Sequence, residues 1–197
     1  MRIIGWTGPT GAGKGEVGRR FAKAGALVID TDRLAREVVT PPSAVLGELA
    51  AVFGRDILRE DGTLDRALLA ERAFASKEAQ ETLNALTHPA IIRRTRELIE
   101  ASDRETAVID APLLFESGMD RMCHTTVAVL APEAVRLARI KARDGITEER
   151  ARERMRAQPD EAFYRERATH TLVNDGALSS LQAAADALIR RIGEGQL

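Results

Sequence analysis

The sequence predicts an α/β protein in one domain: a five-stranded parallel sheet with helices on both faces, interrupted by a helical lobe. Three observations predict it. Short apolar runs alternate with stretches of helical periodicity, the pattern of a parallel sheet buried on both sides. Those runs end in a glycine loop, an aspartate or an asparagine, where ligands of such sheets collect. From Arg33 to Arg104 the periodicity is helical and no strand is convincing, which marks an inserted lobe rather than a plain crossover.

The elements follow in chain order. Ile3-Ile4 with Trp6 form the first strand, before the loop Gly8-Pro9-Thr10-Gly11-Ala12-Gly13-Lys14-Gly15. Val17, Phe21 and Ala24 give a helix that stops at Gly25. Ala26–Ile29 is a second strand, running into Asp30-Thr31-Asp32. Within the lobe, helices are marked by Leu46, Leu49, Ala50 and Phe53, by Leu68, Leu69 and Ala73, and by Leu83, Leu86, Ile91 and Ile92. Thr106–Ile109 is the third strand and ends at Asp110; Thr125–Leu130 is the fourth; Thr171–Val173 is a weaker fifth, before Asn174. The expected partition is a core of about 1–32, 105–143 and 169–197, a lobe of about 33–104 and a charged helical lid of about 144–168.

Composition bounds the function. With 29 basic and 30 acidic residues among 197, the net charge is −1, so nothing global points to nucleic acid or an anionic membrane. The single cysteine, Cys123, excludes an internal disulfide, and no Cys/His spacing suits zinc. The short apolar run before Gly5 resembles neither a signal peptide nor a membrane span. The expectation is a cytoplasmic, reduced, soluble protein acting on small molecules, a monomer ahead of an oligomer.

The glycine loop carries the chemistry. It nearly matches G-x-x-x-x-G-K-[ST], lies between a strand and a helix as that motif requires, and would cradle phosphates on backbone N–H groups with Lys14 as a point charge. Gly15 stands where a serine or threonine hydroxyl would meet Mg²⁺. Magnesium prefers oxygen ligands and keeps several waters, so Asp32 and Asp110 are candidate metal ligands, with Glu16 a weaker one. Asp30 and Asp32 are each open to two readings. One is a base for an attacking hydroxyl; the other is capping, with Asp32 as N-cap of a helix from Arg33 to Val39. Arg136, Arg139 and Arg143 share one face of a helix that ends at Asp144-Gly145. Of these, Arg139 and Arg143 are the candidates for neutralising transferring phosphates.

With these residues in hand, the chain resembles the dephospho-CoA kinase family along nearly its whole length. The likeness rests on the loop to Lys14, Asp30-Thr31-Asp32, Gly62-Thr63-Leu64-Asp65-Arg66 and Leu86-Thr87-His88-Pro89. It continues through Asp110-Ala111-Pro112-Leu113-Leu114-Phe115-Glu116, Arg143-Asp144-Gly145, Gln158, and Asn174 with Gly176. The resemblance implies a P-loop kinase-like fold and transfer of phosphate from ATP, with Mg²⁺, to the ribose 3′-hydroxyl of dephospho-CoA. It implies that ATP lies on Gly11, Ala12, Gly13, Lys14, Gly15 and Glu16, with Asn174 and Gly176 near the adenine. Asp32 would be the base. Asp65, Arg66, His88, Pro112 and Leu113 would hold the acceptor. Three departures from the family pattern are Gly15, Thr169 after Ala168, and Val173 before Asn174.

Two rivals remain open on the residues alone. One is a kinase for another hydroxyl acceptor. The other is a nucleotide-binding regulator whose catalysis decayed, with Gly15 as the mark of the loss.

Overall fold

A computed structural model describes residues 1–195. Five strands, β1 (Arg2–Thr7), β2 (Leu27–Asp30), β3 (Thr106–Asp110), β4 (Thr125–Leu130) and β5 (His170–Val173), form one parallel sheet in the order β2-β3-β1-β4-β5. β1 lies at the centre, and after β3 the chain crosses to its other side. That reversal opens a crevice at the carboxyl end of β1.

The chain divides into two compact units: Met1–Ile29 with the chain from Ser102 onward, and Asp30–Ala101. In the first unit, β4 is buried at every position and β1 from Ile4 to Thr7, which explains the apolar run Val127-Ala128-Val129-Leu130 and the apolar Ile4 and Trp6. One face packs on α1 (Lys14–Lys23) and α9 (Leu178–Gly193), through Ile4, Trp6, Val17, Phe21, Val127, Leu181 and Leu188. The Trp6 and Phe21 rings meet edge to face, their centroids 5.8 Å apart. On the other face, Ala128 and Leu130 pack on Tyr164 of α8 (Glu161–Arg167). The short helix α8 is absent from the sequence reading because its apolar residues, Phe163 and Tyr164, are adjacent and show no period. Helices α6 (Glu133–Asp144) and α7 (Glu148–Arg156) share a small core of Leu137, Ile140 and Ala151.

The second unit is helical: α2 (Thr31–Glu37), α3 (Ala44–Phe53), α4 (Arg66–Ala73) and α5 (Lys77–Glu100). Its core contains Leu46, Leu49, Ile57, Leu69 and Ala90. Ser43, Asp65 and Ser76 cap α3, α4 and α5 by accepting from backbone N–H groups of the first turn. Pro89 lies inside α5. Among the described residues one isolated β-bridge, Leu58 with Leu64, spans the turn at Gly62 in this unit.

Candidate active site

Backbone geometry explains the glycines of the loop. Gly8, Gly11 and Gly13 have φ of 139°, 78° and 104°, values that L side chains avoid. At Gly8 an added Cβ would lie 2.2 Å from the Val129 carbonyl oxygen. Gly13 is the N-cap of α1 and no side chain caps the helix, so the helix's positive end is left to a ligand. Gly15 differs: it is exposed, its φ is ordinary, and an added Cβ would meet only Arg19 Nη1, at 3.9 Å.

Lys14 and Asp110 meet at this end of the sheet, Nζ to Oδ1 3.1 Å, with side chains only 18% and 24% exposed. β3 delivers Asp110 beside β1, in register with Trp6. The donor is a carboxylate oxygen, which suits a hard, heavily hydrated cation. Among the described residues no group of three or more His, Cys, Asp or Glu could hold a metal by itself. Mg²⁺ asks a protein for only one or two carboxylates and completes its shell with phosphates and water, a share that Asp110 beside the loop can supply. Glu16 is drawn elsewhere. It accepts from Arg19 and from Gln182 Nε2 (2.7 Å), and the hydrogen bond from Arg19, then that from Gln182, holds its carboxyl below the usual range.

The arginines of α6 are all directed at the loop. Arg136, 9% exposed, donates Nε to the Thr10 carbonyl at 3.0 Å. Burial disfavours its charge and lowers its pKa. Arg139 Nη1 reaches the Gly11 and Ala12 carbonyls at 3.3 and 3.4 Å, and its Nη2 reaches Asn174 Oδ1 at 3.2 Å. Arg143 Nη2 is 3.5 Å from Thr10 Oγ1 and pairs with Asp144, which Arg154 also holds at 2.7 Å. Gln158, after α7, accepts the Thr10 N–H at 2.8 Å. Asn174, expected on the adenine side, is 3% exposed and its whole amide is engaged within the protein; its Nδ2 donates to the Ala12 carbonyl at 2.8 Å. Gly176 is exposed, and a Cβ added there would meet nothing within 4 Å. Pro112 accepts from Thr7 Oγ1 at 3.3 Å, and Leu113 is exposed at 42% while Leu114 is buried.

The other expected residues lie in the helical unit. The capping expectation needs a correction. Asp30, not Asp32, is the N-cap of α2, and its Oδ1 accepts from the N–H groups of Asp32 and Arg33 at 2.9 and 3.1 Å. The strand ends at Asp30 in extended geometry, so the helix starts one residue before the expected cap. Asp32 occupies the exposed first turn. Asp65 caps α4, and the backbone hydrogen bond from Leu68 is the main reason its carboxyl stays below the usual range. Arg66 donates Nη2 to the Arg36 carbonyl at 3.2 Å, and its side chain is exposed. His88 is half-buried on α5, and burial lowers its pKa below 6.5.

Sequence reasoning missed Arg136 and the bracing contacts of Asn174. The signal for Arg136 was present: it begins the arginine face of α6 and stands nearest to β4.

The dephospho-CoA kinase family model matches residues 2–180. The dephospho-CoA kinase of Corynebacterium diphtheriae is 44% identical over 194 residues, 97% of each chain. Among solved structures, TT1252 from Thermus thermophilus superposes with a TM-score of 0.82 at 34% identity, covering 96% of this chain and 97% of that one. Dephospho-CoA kinase from Campylobacter jejuni, 23% identical over the full length of both chains, superposes at 0.73 and supports the P-loop kinase-like fold. The chain belongs to the dephospho-CoA kinase family.

Proposed function

We propose that this protein transfers the γ-phosphoryl group of ATP to the ribose 3′-hydroxyl of dephospho-CoA, giving ADP and CoA. The carrying observation is the phosphate loop with Lys14 Nζ on the Asp110 carboxylate at 3.1 Å, at the carboxyl end of the central strands. ATP phosphates lie on the backbone of Gly11–Glu16, where N–H groups and the end of α1 attract them. Asp32 orients the 3′-hydroxyl and takes its proton as the oxygen attacks in line. Lys14, Arg139 and Arg143 neutralise the charge that develops on the transferring group. Asp110, with Asp32, would hold Mg²⁺, which supplies further neutralisation at the phosphate oxygens. Asp65, Arg66, His88, Pro112 and Leu113 serve the acceptor, Gly176 lies on the adenine side, and residues 144–168 act as a lid.

Among the described residues no helix is long and apolar enough to cross a membrane, and both substrates are water-soluble. We read the protein as a cytoplasmic monomer, which size-exclusion chromatography checks. ADP release with ATP and dephospho-CoA, followed across a Mg²⁺ titration, tests the activity. Turnover that needs the acceptor supports it; ADP release independent of dephospho-CoA rejects it.

A further inference from the structure

A phosphate loop works only if its N–H groups face the anion, which requires the carbonyls of the same peptides to face away. Glycines make that arrangement permissive rather than fixed, because planes beside Gly11 and Gly13 turn at small steric cost. Here the outward carbonyls have partners. Thr10 is held by Arg136, Gly11 by Arg139, and Ala12 by Arg139 and Asn174. The peptides concerned are trans, so a carbonyl fixed outward sends the next N–H the opposite way. Holding Ala12 aims the Gly13 N–H, and holding Thr10 aims the Gly11 N–H.

We propose that Asn174 and Arg136 are positioning residues for phosphoryl transfer, holding the carbonyls of Ala12 and Thr10 outward so that the loop is shaped before nucleotide arrives. Asn174 does a second job through its other amide atom, fixing Arg139 against the loop with Oδ1 at 3.2 Å. Both side chains are suited to this role and poorly placed to touch nucleotide. They are 3% and 9% exposed, and Arg136 sits in surroundings that disfavour its charge unless its N–H groups are used. Gly13 is matched to the same contact, since a Cβ there would lie 2.3 Å from Asn174 Nδ2. A loop that must order itself has its apparent affinity reduced to the fraction of time it is correctly shaped; the brace removes that loss.

The inference rests on the loop binding ATP, and the experiment separates the two. ATP binding by calorimetry, kcat, both KM values and thermal unfolding are measured for the native protein, Lys14→Ala, Asn174→Ala, Asn174→Asp and Arg136→Lys. Asn174→Asp keeps an acceptor for Arg139 and loses the donor to Ala12; Arg136→Lys keeps the charge and loses the planar Nε donor; thermal unfolding identifies which variants are folded. The expected result for the folded variants is ATP affinity about tenfold weaker, with the KM for dephospho-CoA unchanged. ATP affinity and kcat within about twofold of native, or an equal loss for both substrates, overturns the positioning role. A native protein that binds no ATP overturns the loop reading instead, whatever the variants do.

Discussion

Lys14 Nζ lies 3.1 Å from Asp110 Oδ1, both side chains largely shielded. The pair places the loop's only ammonium group against the carboxylate best located to meet a metal. Replacing Asp110 by Asn removes a negative charge from the phosphate end without changing shape. ATP affinity measured in chelator should therefore hold or rise. Turnover should fall by about a hundredfold, because charge compensation at the transferring group is lost, and the Mg²⁺ needed for half-maximal rate should increase. An unchanged Mg²⁺ dependence would take Asp110 out of the metal site.

The two kinds of glycine in the loop predict opposite outcomes. At Gly15 an added side chain meets only Arg19 Nη1 at 3.9 Å and φ is ordinary, so Gly15→Ser should fold normally. Serine is also the better helix former by about 0.5 kcal/mol in the first turn of α1. Its hydroxyl should lower the Mg²⁺ requirement while kcat holds or rises. Gly8→Ala meets a backbone oxygen at 2.2 Å with φ at 139° and should cost about 3 kcal/mol, read as a fall in Tm of about 6–12 °C. Loss of activity in Gly15→Ser with normal stability would mean that the missing hydroxyl is required to be missing.

The sheet and the phosphate loop were legible because their signals are local. Apolar runs of strand length end at Gly8, Asp30, Asp110 and Asn174, and each ending sits where the strand ends. What was not legible depends on partners distant in the chain. Asn174 reaches Ala12 across 162 residues, and Arg136 reaches Thr10 across 126; no spacing rule links such positions. An arginine on a charged helix reads as solvated until the fold buries it. The Asp30/Asp32 pair failed for a smaller reason. Either carboxylate can cap, and only where the strand ended chose Asp30.

That choice separates the two aspartates experimentally. Asp30→Ala removes a cap that accepts two N–H groups and should cost about 1 kcal/mol of stability. Asp32→Asn leaves the two N–H bonds of that cap intact. If Asp32 is the base, ATP binding survives in Asp32→Asn and turnover drops by about 10²–10⁴-fold. Native turnover in that variant would remove Asp32 from the chemistry.

His88 supplies a pH test. Burial holds its folded pKa below the ordinary 6.5, so the unfolded chain takes up a proton first as pH falls. The stability tied to neutral His88 is therefore fully present above pH 6.5 and is lost as pH drops through 6.5 toward the folded value. The urea midpoint should decline between pH 7.5 and 5.5, and His88→Gln should flatten that decline. The same shift bears on acceptor binding. If His88 serves the acceptor as proposed, its imidazole would meet dephospho-CoA at neutral pH as a hydrogen-bonding group rather than as a cation for its diphosphate. The KM for dephospho-CoA in His88→Gln, which keeps a neutral hydrogen-bonding side chain, should stay within about threefold of native, whereas His88→Leu should raise it. A KM for the native protein that falls steeply between pH 7.5 and 6.5, with no such fall in His88→Gln, would show that the charged imidazole is the form that binds.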